Sequence, residues 1–495
     1  MLKKIKRAAS SRSPTAARLK TIRIRRRKRA SGLNKSGLFR KAGNKKRNMK
    51  QSRLVERKKS RNKKRTAPET AAPHIGEADL QKPLELKEGN HAAEHGTVPA
   101  SEPSAESPVE PEAVPAPDPP EPPPPFVEEH LVQVEAEFPQ PEGKYNTAAD
   151  WAETAIGTVP GAEFIPLFYH PEVRFRQGKT LGEGDYFPAR EHPQHPVSVS
   201  VIPNGRAWGK YGFVLTEDNR LLMEVSADIV EDAQHAVFHR WESYPLMRTD
   251  EKVAVLTLNY SENYYHWMYD ILARLAWLEQ SGAAIDRYIV NRNGQKPFQE
   301  ETLQLLGLPP ERRIETDERF HLQASRLIVP SHTWRSDNPK CAFDFIRRSF
   351  LPLRDRSFAS AERIYISRAG SVRRLLNEEQ ILLFLEKYGF QVFRLETMTV
   401  RQQIQLFAGA RAIVAPHGAG LTNLTFCSPG TTVIELFADS YIPEYFWTIS
   451  NYAELDYYYL LGASYSGPGS RQAKEDDMLI APDLLLALLE RAGLT

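Results

Sequence analysis

Between Met1 and Arg65 the chain carries 28 Lys and Arg against one acid, Glu56, a net of +27, with few large apolar groups. Such a stretch cannot bury enough surface to offset the entropy of ordering, so it is expected to be disordered on its own. Thr66 to His130 reverses the sign, with 14 Asp and Glu, two Lys and 15 prolines, Pro122 to Pro125 among them. An extended, partly polyproline-II spacer is expected there, running on to residue 144. Any core must therefore form from the rest of the 495 residues, and the overall charge of +4 conceals three different polymers.

The front end narrows the choice of compartment and partner. Two cysteines, Cys341 and Cys427, are too few for a disulfide framework and suit buried thiols in a reducing environment. No apolar run approaches the roughly 18 residues of a spanning helix, and the basic start has no signal-peptide core. A soluble, cytoplasmic protein is expected, in which the Asn-x-Ser/Thr tripeptides at Asn259 and Asn423 are chance matches. The tail suits a polyanion: an anionic membrane surface, a cell-wall polymer or nucleic acid. With Phe39 its one aromatic residue, base-specific readout is not expected.

From residue 145 onward the pattern is that of a folded α/β protein. Val197–Ile202, Gly212–Leu215 and Leu221–Val225 read as a small antiparallel layer with a turn at Asp218-Asn219. Strand and helix then alternate: a strand at 253–258, a helix over 264–280, a strand at 288–290, a helix over 298–306, a strand at 326–329 and a helix over 342–350. A second series follows: a strand at 363–366, a helix over 377–388 with a capping-box spacing from Asn377 to Gln380, a strand at 390–395, a helix over 400–408, and strands at 412–415 and 432–436. Alternation of this kind predicts parallel sheets, hence two doubly wound, Rossmann-like domains, 145–352 and 353–495, with a ligand cleft between them at the carboxyl ends of the strands.

Three places on this frame could carry chemistry. After the 412–415 strand, His417-Gly418-Ala419-Gly420 combines two small residues, a helix start and an imidazole, which together suit phosphate, although a tight packing turn needs small residues too. Glu435, on the next strand, could accept ribose hydroxyls. The loop after the 363–366 strand holds Arg368, Arg373 and Arg374, whose guanidinium groups could clamp a diphosphate. On the 264–280 helix, Asn263, His266, Asp270 and Arg274 share one stripe, where His266, oriented by Asp270, could act as a base on an acceptor hydroxyl. Asn263 and Trp267 would lie on the acceptor side; a helix cap with a solvent-facing stripe is the plainer alternative. Metal signatures such as Asp-x-Asp, His-Glu-x-x-His and paired Cys-x-x-Cys are absent from the sequence, and neither a metal nor a cofactor is expected.

His266-Trp267 with Asp270, the Ser367-Arg368 loop, His417-Gly418-Ala419-Gly420-Leu421 and Val433-Ile434-Glu435-Leu436-Phe437 resemble, in order and spacing, the motif series of glycosyltransferase family 61 over residues 250–460. The resemblance implies a GT-B fold and an inverting, metal-independent transfer from a nucleotide sugar, UDP-linked in the first instance, to a glycan or other hydroxyl acceptor. It also implies that Arg368 and one of Arg373 and Arg374, with the His417 turn through Leu421, hold the diphosphate, and Glu435 the nucleoside. Lacking an anchor, the chain resembles a soluble, bacterial-type member. Competing readings are a nucleotide-sugar epimerase or hydrolase on the same frame, and a polyanion-binding protein acting through its tail with an inactive body.

Overall fold

A computed structural model describes residues 131–495 apart from 136–137, 168–171, 183–184, 227–234, 293–295, 333–337 and 467–471. The expected basic tail (1–65) and most of the expected spacer lie outside the described residues. The spacer's end does not: Val132–Val134 and Gly143–Tyr145 are strands of the first sheet, so the folded part begins before residue 145.

Four parallel strands form the centre of the first sheet. In chain order they are Leu246–Leu256, Arg287–Asn291, Arg313–Thr316 and His321–Pro330, and they lie side by side as third, second, first and fourth. The antiparallel strands before them are not a separate layer. Val197–Pro203 and Arg206–Trp208 both pair with His321–Pro330, and Phe213–Leu215 and Arg220–Leu222 extend the sheet beyond. Of the expected 221–225 strand, Met223–Val225 is a 3-10 turn.

The second sheet runs Gln391–Phe393, Arg363–Ile366, Ala412–Pro416, Thr432–Ala438, Asp456–Tyr465 and Asp477–Leu479, parallel except for the last strand. Asp456–Tyr465, a strand not read from the sequence, lengthens the sheet at that edge. Helix Val400–Gly409 starts on a capping box from Thr399 and Gln402. The box expected at Asn377 does not form, because the Asn377 amide donates to Gln380 Oε1 and Ile480 O instead.

The segment from Val173 to His192 lies in sequence between strands of the first sheet yet packs on the second. Lys179 N donates to Tyr457 O (3.0 Å), Tyr459 N donates to Lys179 O (2.9 Å), and the Trp447 indole N–H donates to Arg176 O (3.0 Å). Phe187 sits against Trp447 and Tyr459. A boundary at 352/353 therefore separates the two sheets but not the material that covers them.

The expected helix over 264–280 is present but irregular: one α turn at Tyr264–His266, a π turn at Trp267–Ile271, a 3-10 turn at Leu272–Arg274, then α-helix Leu275–Ser281, closed by Gly282 at φ +67°. Every residue from Trp267 to Leu278 is buried, as expected for a helix enclosed on all sides. Asp270 and Arg274 are therefore not a solvent-facing stripe. This helix packs on the 3-10 segment Ala419–Phe426 of the second sheet, where Tyr264 O–H donates to Asn423 Oδ1 (3.0 Å) and Tyr269 shares a 2.7 Å hydrogen bond with Thr425. Asn423 is fully buried and Asn259 nearly so.

Asn423 also donates to Gln403 Oε1 (2.8 Å) and Gly420 O (3.1 Å). Asn423→Ala leaves the hydroxyl of Tyr264 and the amide of Gln403 without these partners, at an expected cost of about 1–3 kcal/mol. The urea midpoint should fall with the slope of the transition unchanged; an unaltered midpoint contradicts the role given to this contact.

Candidate active site

Ligands of open α/β sheets bind where neighbouring strands lead off in opposite directions, beyond their carboxyl ends. In the first sheet that point lies between Leu246–Leu256 and His321–Pro330, and the chain continues into Thr257–Asn263 and into Ser331-His332. In the second it lies between Arg363–Ile366 and Ala412–Pro416, continuing into Ser367-Arg368 and His417-Gly418. Both points open on one cleft of about 530 Å³. Asn259, Asn263, His266, Asp270 and His332 line it from the first sheet, and Arg373, His417, Ala419, Tyr441 and Tyr445 from the second.

The π turn brings His266 and Asp270 together. His266 Nδ1 lies 2.6 Å from Asp270 Oδ2, and the imidazole is 22% exposed while the carboxylate is 2% exposed. Asp270 Oδ1 accepts from Asn338 Nδ2 (3.3 Å), whose amide also donates to the Tyr265 hydroxyl (3.1 Å). One turn on, Arg274 donates to Thr257 O (2.8 Å), tying the helix to the end of the strand; burial lowers its guanidinium to about 10 and the Asp270 charge partly restores it. A carboxylate on Nδ1 fixes the tautomer, leaving Nε2 able to accept a proton. Asn263 caps the helix by accepting the Tyr265 amide (2.9 Å). Trp267 does not reach the cleft: it is fully buried and its indole N–H donates to Thr302 Oγ1 (2.8 Å).

The three arginines part company. Arg373, with a left-handed backbone at φ +60°, donates to His417 O (3.1 Å) and Lys474 O (2.6 Å) and borders the cleft. Arg374 points away, held by Asp477 (2.7 Å). Arg368 lies under the glycine turn and braces its own loop through Ser371 Oγ and Val372 O. A Cβ added to Gly418 would stand 1.9 Å from Arg368 Nη1, and one added to Gly420 would stand 2.7 Å from Leu395 Cδ1. The two glycines thus admit protein side chains. Ala419 borders the cleft, Leu421 belongs to the core, and the first amides of the 3-10 segment have no acceptor within it.

Glu435 lies behind His417. It is fully buried, with Oε1 2.5 Å from His417 Nδ1 and Oε2 accepting from the Tyr457 hydroxyl (2.6 Å). The strand continues past it to Ala438, so the carboxylate is enclosed and meets the imidazole, where direct contact with a nucleoside was expected. Burial pushes Glu435 up to about 8, against the pull of Tyr457 and Arg373. Burial, then Arg373 and Arg368, holds His417 well below its ordinary value. With the proton on Glu435, its Oε1–H donates a hydrogen bond to His417 Nδ1, and Nε2 carries the one ring N–H.

His332 was missed by the sequence reading, although its place just beyond the strand end at Pro330 is a switch-point signal. Burial lowers it to about 4, so the ring is neutral. Tyr441, Tyr445, Lys474 and Glu475 also border the cleft without having been singled out. Among the described residues no cluster of three or more His, Cys, Asp or Glu is arranged to hold a metal ion, and no helix is long and apolar enough to cross a membrane. Burial raises both thiols, Cys341 to about 12.

The switch points of the two sheets share one cleft lined by histidine and arginine, in a mixed α/β fold. Residues 264–434 match the family model Glycosyltransferase 61, so the chain carries a domain of the family that its motifs resemble. Over 61 residues, 12% of the chain, it is 33% identical to beta-1,2-xylosyltransferase RCN11 of Oryza sativa subsp. japonica, and it spans 11% of that relative's length.

Between pH 4.5 and about 8 folded Glu435 holds a proton that the unfolded chain has lost, so its contribution to stability falls as pH rises through this window. Glu435→Gln keeps a donor for His417 Nδ1 and an acceptor for Tyr457 and cannot titrate. Melting curves from pH 5 to pH 9 should show the wild type losing stability relative to the variant as pH rises to about 8, with no further loss above it; parallel curves contradict this assignment.

Proposed function

We propose that this chain is an inverting glycosyltransferase of GT-B architecture that moves a sugar from a nucleotide sugar, UDP-linked in the first instance, to a hydroxyl acceptor. The observation that carries the reading is the pairing across one cleft: His266, steadied by a buried carboxylate, faces Arg373 and the His417 turn. His266 Nε2 takes the proton of the acceptor hydroxyl, and its oxygen attacks the anomeric carbon. The bond from that carbon to the diphosphate oxygen breaks on the opposite face, inverting the centre.

The departing charge is received by Arg373, by the Nε2–H of His417 and by the amides that open the 3-10 segment, with Arg368 adding positive potential beneath the turn. These groups supply the charge neutralisation for which many transferases use a divalent ion, and the reaction is proposed to run without one. Glu435 acts as a positioning residue through His417. Since the chain matches only a short part of its xylosyltransferase relative, the sugar is not carried over from that name.

His266→Asn should lower kcat by about 10²- to 10⁴-fold with nucleotide-sugar affinity retained. Arg373→Ala should weaken nucleotide-sugar binding by about 10- to 100-fold, and Arg374→Ala should leave it unchanged. Titration calorimetry and donor-turnover assays against UDP-, GDP-, CMP- and dTDP-sugars measure both. Equal losses from Arg373→Ala and Arg374→Ala, or no binding of any nucleotide sugar, overturn the reading.

A further inference from the structure

A second cavity, of about 770 Å³, adjoins the cleft at the carboxyl ends of Leu246–Leu256, Arg287–Asn291 and Arg313–Thr316. Asn259, Tyr260 and Asn263 line both spaces, so the cavity continues the cleft. Its volume lies within the roughly 300–1,000 Å³ of pockets that enclose a whole small ligand.

Tyr260 stands at the junction. Its backbone is left-handed at φ +72°, a conformation that a bulky residue seldom adopts; the residue is 45% exposed and its ring lies 5.6 Å from the His266 ring. An aromatic residue kept in an unfavourable conformation and left in solvent is not explained by packing. Strain of this kind gathers at binding and catalytic positions. Beside it Asn259 is only 5% exposed, and its Nδ2 has no hydrogen-bond partner among the described residues. Buried amide donors are rarely left so, which marks this one as waiting for an acceptor atom.

The rest of the wall has one character. Tyr211 offers a second ring, and Asp317, Glu318 and Arg292 offer carboxylate and guanidinium groups. Flat apolar faces among charged and amide hydrogen-bonding groups suit a ligand with C–H faces and many hydroxyls; an acyl chain would need a continuous apolar lining. We infer that this cavity is an acceptor subsite for a saccharide of two or more sugars, with Tyr260 stacking on the sugar next to the reacting one and Asn259 donating to one of its oxygens. The inference rests on the transferase reading of the cleft and adds that the acceptor is an oligosaccharide.

The test uses the full chain with the nucleotide sugar that it binds, and xylo-, manno-, cello- and chito-oligosaccharides of one to four sugars as acceptors. Saturation-transfer NMR reads binding, and KM reads turnover. In the wild type KM should fall from one sugar to two or three in at least one series. Tyr260→Ala should remove that advantage, a change of about three- to tenfold, and Tyr260→Phe should keep it. Nucleotide sugar bound but no saccharide bound, KM independent of length, or a length dependence that survives Tyr260→Ala, each overturns the subsite and leaves the transferase reading standing. Failure of the wild type to bind any nucleotide sugar overturns both.

Discussion

Asp270 is the charge around which the first half of the site is organised. A carboxylate with 2% of its side chain exposed needs compensation, because an unpaired buried charge is far more costly than a paired one. His266 and Asn338 supply hydrogen bonds, and Arg274 supplies opposite charge from within the same helix. The π turn serves this arrangement: it departs from regular geometry over Trp267–Ile271, the stretch that carries Asp270. Insertions of this sort favour functional positions over regular helix.

The second sheet repeats the theme with the emphasis reversed. Glu435 also backs a histidine, but in a fully enclosed position beside Arg373 and Arg368, which oppose any further positive charge on the ring. His266 keeps an open edge to the cleft, whereas His417 is almost covered. Two carboxyl–imidazole pairs thus border one cleft, one from each sheet.

Much of this was legible because period and punctuation carry it. Parallel strands buried on both faces read as apolar runs, and the loops that follow them are where ligands collect, which points to the His266 helix, the arginine loop 368–374 and the His417 turn. What stayed hidden depended on contacts distant in sequence. Adjacent arginines cannot declare which one turns inward: Arg373 does so through a left-handed backbone, and Arg374 is claimed by Asp477, about a hundred residues on. Glu435 was taken for a strand end because the strand's continuation to Ala438 is set by pairing with Asp456–Tyr465, itself unread. The two glycines were given to a ligand when their neighbours are Arg368 and Leu395.

The packing of Val173–His192 on the second sheet bears on how the molecule is assembled. Phe175 and Phe187 are made well over two hundred residues before their partners Trp447, Tyr457 and Tyr459. Contacts of such long sequence separation are slow to close. The Val173–His192 strap, which lies in sequence between strands of the first sheet, therefore ties the assembly of the first sheet to that of the second.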